Sequence, residues 1–253
     1  VTAFFAACAT KVALYVLLRF DFVVFQQNLV SHETQFAAFL MPLAVLAILV
    51  GSAVALFETN LKRLLAYSSV AQIGYILLGA SMVSVLGLSA GLLHMFNHAL
   101  AKGALFLAVL CLALRVGSLD LRQLSGAARQ MPWTMGALVL GGLSLIGVPG
   151  TAGFISKWYL VSAALNEGAL GVLLIAVVVT GSLMAVVYIW RIVETAWFQA
   201  PEAGAPTLTE APLPALLVTW SVALANLWFG LAPALPLRLA TAAAESLLRH
   251  LPQ

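Results

Sequence analysis

The sequence predicts an all-α protein built as a bundle of transmembrane helices, and three observations carry that prediction. Of its 253 residues, 63% are hydrophobic and only 8% are charged, against roughly a quarter charged in soluble domains. Mean hydropathy is +1.06. The apolar residues fall in runs of about 20 or more, the length that crosses a ~30 Å hydrocarbon core. These runs lack the strict alternation of a transmembrane β-barrel. A soluble globule of this composition would expose a large apolar surface with too few charges to solvate it. The net charge of +3 is too small for a nucleic-acid-binding face.

Polar or Gly/Pro punctuation divides a single transmembrane domain, 1–253, into seven segments. Segment A covers 1–20, B 36–57, C 61–82 and D 88–114. Segment E, 133–165, is too long for one simple crossing and is interrupted at 147–153. Segment F covers 170–197 and G 214–231, and a weakly amphipathic tail occupies 232–253. Cys8 and Cys111 each sit inside an apolar run and read as packing residues; no CxxC or Cys/His cluster suggests a metal or covalent haem. The chain opens on Val1 already in a helical pattern, so it reads as a piece that begins partway through a larger protein.

Lys and Arg placement sets the orientation. Lys62, Arg63, Arg115, Arg122, Arg129 and Arg191 lie in or beside loops 58–63, 115–131 and 191–213, whereas Arg19, Arg238 and Arg249 lie on the other side. The excess puts the first group in the cytoplasm, with segment A starting inside and the C-terminus outside. A multi-pass protein of the inner (plasma) membrane is expected.

Three lysines stand out because a cation at mid-helix costs about 2.5–3.5 kcal/mol on insertion scales. Lys11 is midway along A, Lys102 midway along D, and Lys157 just past the interruption in E. No acidic residue lies within a turn of them in their segments. Long side chains can snorkel to the interface, which suits Lys62 and Arg63 better than these three. In segment D, His94, His98 and Lys102 step by four and form one polar stripe on one helix face, spanning about 12 Å of depth. Imidazoles change charge near neutral pH, and a desolvated lysine can join them there, so the row can pass protons between ordered waters. Competing readings are hydrogen-bonded core histidines, a two-histidine metal site lacking a third ligand, and haem ligation, which normally draws histidines from two helices, whereas His32 and His250 lie outside the segments.

Segment E supplies a broken helix: Gly147, Pro149, Gly150 and Gly153 interrupt the backbone ladder at membrane depth. That is tolerated where the freed groups line a cavity or pack in protein, and such breaks mark ion sites in transporters. Helix is expected to resume over 154–165. Segment C adds Tyr67, Ser68, Ser69, Gln72 and Tyr75. Ser68, Ser69 and Gln72, with Asn97 of segment D, are candidate supporting polar groups, though such residues also join helices.

Four ordered motifs resemble one family. They are Thr10-Lys11-Val12-Ala13-Leu14-Tyr15 with Arg19; Leu61-Lys62-Arg63-Leu64-Leu65-Ala66-Tyr67-Ser68-Ser69-Val70 with Gly74-Tyr75; His94…Asn97-His98-Ala99-Leu100-Ala101-Lys102; and Gly147-Val148-Pro149…Gly153-Phe154-Ile155-Ser156-Lys157. Over residues 1–198 the chain resembles the antiporter-like membrane subunits. These are the proton-pumping subunits of respiratory complex I, the large subunits of Mrp-type sodium/proton antiporters, and membrane-bound hydrogenase subunits. Gln72-Ile73-Gly74-Tyr75-Ile76-Leu77-Leu78-Gly79 and Phe96-Asn97-His98-Ala99-Leu100 look most like the Mrp D-type branch.

The resemblance implies a fold of about fourteen helices with two inverted five-helix repeats, each holding a broken helix. Segment A is then the eighth helix, B to F the second repeat, and G the fourteenth. The glutamate of the fifth helix and the lysine of the seventh lie in the half this sequence lacks. The implied function is proton translocation by a cation/proton antiporter subunit along a relay of Lys11, His94, His98, Lys102 and Lys157. The alternative is a proton-pumping subunit of an NADH–quinone oxidoreductase or membrane-bound hydrogenase. Implied partners are other membrane subunits, the lipid bilayer, protons, and sodium as a candidate counter-ion. No cofactor is expected: no nucleotide, quinone or flavin motif is visible, so redox chemistry would belong to partner subunits. A retinal-type photoreceptor would be expected to place its lysine in the last helix, and segment G has none. A structural subunit with inert lysines is the remaining class. Replacing Lys11 or Lys157 by alanine is expected to remove a titrating group while sparing the fold.

Overall fold

The computed structural model describes residues 4–24, 30–201 and 207–249, and of residues 5, 24 and 30–36 the backbone only. Residues 1–3, His250 and the side chain of His32 therefore lie outside the described residues. The described chain is helical, without strands; an isolated bridge pairs Asn60 with Asp120. Five helical stretches among these residues are long and apolar enough to cross a membrane.

The first helix, α1 (Thr10–Arg19), is flanked by π-helical turns at Phe5–Ala9 and Phe20–Val24. Next, α2 runs Val30–Phe57, six residues earlier than the apolar pattern from Phe36 suggests, because the polar stretch 31–35 continues the helix. A tight turn leads to α3 (Leu61–Ser81), capped by Asn60, whose side chain accepts from the amides of Lys62 and Arg63. Then α4 covers Val85–Ala113. It starts ahead of the expected Leu88 because Ser84 caps it, Oγ accepting from Gly87 N at 3.0 Å, a contact typically worth about 1 kcal/mol.

The broken helix comprises α5 (Pro132–Ile146) and α6 (Ala152–Ala164). It is followed by α7 (Gly168–Val193), which ends in a π-turn Glu194–Phe198, and by α8 (Leu213–Leu231). The tail is a helix too: α9 (Ala234–Leu248) buries Pro236, Ala240, Ala244 and Leu247. Its Ala244 and Leu247 cluster with Leu18, Phe22, Leu40 and Leu88. Cys111 is buried, but Cys8 is exposed, so packing does not account for Cys8.

Small residues set the helix spacing, since lipid supplies no hydrophobic push between helices. Gly79 of α3 meets Gly87 and Gly91 of α4, and Gly74 meets Ala44 and Ile48 of α2. With backbones this close, α4 sits centrally, touching α3, α5, α6, α8, α9 and the Phe5–Ala9 turn. Central placement puts the polar stripe of α4 in the bundle interior.

Candidate functional site

The structure buries all five titratable residues singled out in the sequence. Lys102 is 0% exposed, His94 and His98 are 2%, Lys157 is 6% and Lys11 is 8%. Among the described residues, none of the three ammonium groups has a carboxylate partner. Each is held by backbone carbonyls or hydroxyls instead, and each finds them in a different way.

On α4 the stripe His94–His98–Lys102 faces a second stripe on α3, Ser68–Gln72, with the same four-residue step. The helices run antiparallel, so Lys102 meets Ser68 and His94 meets Gln72. Lys102 Nζ donates to Ser68 Oγ at 2.5 Å and to Leu65 O at 2.6 Å. His94 Nε2 lies 2.9 Å from Gln72 Oε1, and Nδ1 lies 2.8 Å from Ser156 Oγ on α6. His98 stacks parallel to His94, with ring centroids 6.3 Å apart. Among the described residues neither His98 nitrogen has a hydrogen-bond partner, and the buried hydroxyl of Tyr188 from α7 lies beside Ser68 and Gln72 without a well-formed bond. Buried polar atoms left open in this way are the ones ordered water satisfies.

Both charge states of His94 are satisfied. A neutral ring donates from Nε2 to Gln72 and accepts at Nδ1 from the Ser156 hydroxyl. A protonated ring donates at Nδ1 as well, and the hydroxyl turns to Gly153 O, 3.1 Å away. One rotating O–H thus serves both states.

The broken helix explains Lys157. Gly147 adopts φ +89° and closes α5, with Gly147 N and Val148 N both bonding Leu143 O at 3.0 Å, a glycine-dependent helix end. In an unbroken helix Leu145 O would receive the amide of residue 149, but Pro149 has none. Lys157 Nζ supplies the missing donors, to Leu145 O at 3.1 Å and Ile146 O at 2.9 Å, and also reaches Ser182 Oγ of α7 at 3.0 Å. The negative end of the α5 dipole favours a cation there. Ser144 Oγ accepts from Gly153 N at 3.2 Å at the start of α6. Gly153 packs directly on the Ser144 carbonyl, leaving no room for a Cβ. Gly150, at φ +90°, turns the chain in the open link between the halves.

Lys11 donates to Ala6 O, five residues back in the π-turn, at 2.5 Å. The wider turn presents a carbonyl that an α-helix would direct along its own ladder. Asn97 does not continue the stripe; it donates to Ala152 O at 2.6 Å and ties α4 to the restart of the broken helix. Ser69 bonds only Leu65 O of its own helix, at 3.0 Å.

Several residues join the site through contacts across helices that no sequence periodicity encodes. Ser156, Ser182 and Tyr188 join the site from α6 and α7. Tyr75 stands between its two arms, ring edge to face with His94 at 5.4 Å and with Lys157 Nζ 4.7 Å from the ring centroid. Among the described residues, no group of three or more His, Cys, Asp or Glu could hold a metal.

Comparison with known proteins bears on the family and the fold. The chain is 43% identical over 216 residues to NADH-quinone oxidoreductase subunit N of Desulforudis audaxviator, covering 85% of this chain and 42% of that protein. It is 34% identical over 251 residues to the subunit of the same name in Salinispora arenicola, covering 97% of this chain and 46% of that one. Among solved structures, a chain of a membrane-bound sulfane sulfur reductase, an archaeal respiratory membrane complex, superposes with TM-score 0.85 at 29% identity over 97% of this chain and 49% of its own. A chain of the Mrp complex from Dietzia gives 0.82 at 27%, over 97% and 53%. The chain thus spans about half the length of the relatives it matches. Residues 1–185 match the family described as NADH:quinone oxidoreductase/Mrp antiporter, transmembrane, and with these relatives the chain belongs to that family of membrane proteins.

Proposed function

We propose that this chain forms the second half-channel of a proton-translocating membrane subunit. Protons enter at Lys11 and pass through water to His98, His94 and Lys102. Lys157, beside the broken helix, exchanges with the outer face. The observation that carries this is a set of interior titratable groups without counter-ions among the described residues, in which His94 keeps a full set of partners whether charged or neutral. Inert lysines would be expected to carry carboxylate partners or to reach solvent; among the described residues these have no such partners and are buried.

The names of the relatives support a place in an NADH–quinone oxidoreductase ahead of the Mrp D-type antiporter favoured by the Gln72–Gly79 and Phe96–Leu100 motifs. Partner subunits then supply the redox chemistry, and loops 58–63, 115–131 and 191–213 face the cytoplasm. Sodium uptake into vesicles under an imposed pH gradient separates the branches: the redox branch moves none, whereas the antiporter branch does.

The test of the reading is driven proton flux in sealed vesicles holding the full-length protein in its complex. Lys11→Ala and Lys157→Ala should each lower flux about tenfold or more, as expected for loss of a proton-transfer group. Lys→Arg at either position should also impair it, because arginine stays protonated. Parental flux from both assembled alanine variants would make the lysines structural.

A further inference from the structure

Resting on that reading, we propose that Tyr75 is a positioning residue whose ring forms the partition between His94 and Lys157, opening only when Lys157 has given up its proton. Tyr75 is fully buried on α3. One side of the ring meets the His94 imidazole at 5.4 Å, and the Lys157 ammonium lies 4.7 Å from its centroid. The two titratable groups have no hydrogen bond to each other. Both His94 nitrogens are taken, by Gln72 and Ser156, and all three Lys157 protons are taken, by Leu145 O, Ile146 O and Ser182 Oγ. Ser156 precedes Lys157 in sequence, yet its hydroxyl serves His94 and Gly153 O.

The phenol is anchored at its far end. Its hydroxyl donates to Val178 O of α7 at 3.4 Å, a long bond that holds weakly. Gly181 makes the space, since a Cβ there would fall against the phenol oxygen and Ile48. The ring is therefore seated by a glycine notch, tethered through its hydroxyl to α7 at Val178 O and beside Ser182, and held across the path by the Lys157 cation.

The attraction of an ammonium for a ring face depends on its charge. While Lys157 is charged it can accept no proton, and it holds the ring across the path. When it releases a proton toward the outer face it becomes an amine with a free lone pair, and the attraction to the ring is lost. The ring is then free to move aside and let a water in. The proton leaves the His94 imidazolium, crosses that water and lands on the Lys157 nitrogen, restoring a neutral imidazole, an ammonium and the closed ring. The path opens only toward a group ready to accept.

The test is passive proton leak in vesicles holding the full-length subunit in its complex, with a pH gradient imposed, no electron donor, and subunit abundance measured alongside. Tyr75→Ala should raise the leak several-fold, and adding Lys157→Ala should return it to the parental level, which a merely loosened bundle would not do. Tyr75→Phe keeps the ring and should stay tight. Gly181→Ala, which displaces the phenol, should leak as Tyr75→Ala does and stands in for it if that variant does not assemble. Parental tightness of the assembled Tyr75→Ala or Gly181→Ala variant would overturn the partition, as would a leak from Tyr75→Phe. Lost pumping in Lys157→Ala with no leak in Tyr75→Ala would remove the partition and keep the relay. Parental pumping in Lys157→Ala would remove the relay itself.

Discussion

Lys102 and Lys157 are both buried ammonium groups in the same bundle, yet the backbone meets them differently. Lys102 lies in an unbroken helix and donates to Leu65 O, which belongs to the middle of α3 and also accepts from Ser68 Oγ at 2.9 Å and Ser69 Oγ at 3.0 Å. That carbonyl loses little if the lysine goes. Lys157 lies at a helix break and donates to Leu145 O and Ile146 O, terminal carbonyls for which Pro149 and the turn provide no ladder donor. Here the cation is part of the helix end. A lysine can thus be placed in hydrocarbon as a guest of an intact helix or as the cap of a broken one. Only the second makes the protein depend on it structurally.

Substitutions can break or sharpen that contrast. The largest expected effect is from Gly153→Ala: the new methyl would collide with the Ser144 backbone carbonyl, which cannot swing away as a side chain can. Overpacking costs about 1–3 kcal/mol where neighbours can shift and more where they cannot, and the assembled complex should fall sharply on native gels, whereas Gly150→Ala, in open space, should suffer only from its φ of +90°.

Next comes the lysine pair. Lys157→Ala orphans two carbonyls, at about 1–3 kcal/mol for a buried unsatisfied group, so its thermal unfolding in detergent should begin well below that of Lys102→Ala. These two contacts argue against the expectation that an alanine at Lys157 spares the fold, and the melting comparison decides it. Equal melting of the two variants would erase the distinction.

Smaller still, Ser182→Ala and Ser68→Ala each remove one hydrogen bond from an ammonium that keeps its carbonyl partners, and flux should drop only a few-fold in each. Arg122→Ala, exposed on the loop between α4 and α5, should leave flux and melting within the spread of neutral surface changes, about 0.5 kcal/mol.

Much of the frame was legible because apolar runs and glycine/proline punctuation act locally. The run 61–82 corresponds to α3, and the interruption at 147–153 falls where α5 stops and α6 begins. The step of four in His94, His98 and Lys102 specified one face before any contact was known. What could not be read depends on polar signals at boundaries and on pairings across the bundle. Ser84 as a cap, and a polar opening turn at 31–35, moved two helix starts outward. The tail read as weakly amphipathic because α9 buries small residues, Pro236, Ala240 and Ala244, beside Leu247, which gives hydropathy little contrast. Ser156 with His94, and Ser182 with Lys157, are joined across 62 and 25 residues, and no periodicity encodes such meetings. Tyr75 was visible only as one polar residue among several in segment C.

The central claim is that the line from Lys102 to Lys157 is a wet interior path, and the place to look is the gap around His98. An experimental structure of the full-length subunit in its complex, at a resolution that shows ordered water, should place water within hydrogen-bonding distance of both His98 ring nitrogens, atoms that have no partner among the described residues. A buried water makes about three hydrogen bonds, so one or two would bridge His98 toward its neighbours. If those atoms prove to be packed dry against apolar side chains, there is no medium for a proton between Lys102 and His94, and the account is contradicted.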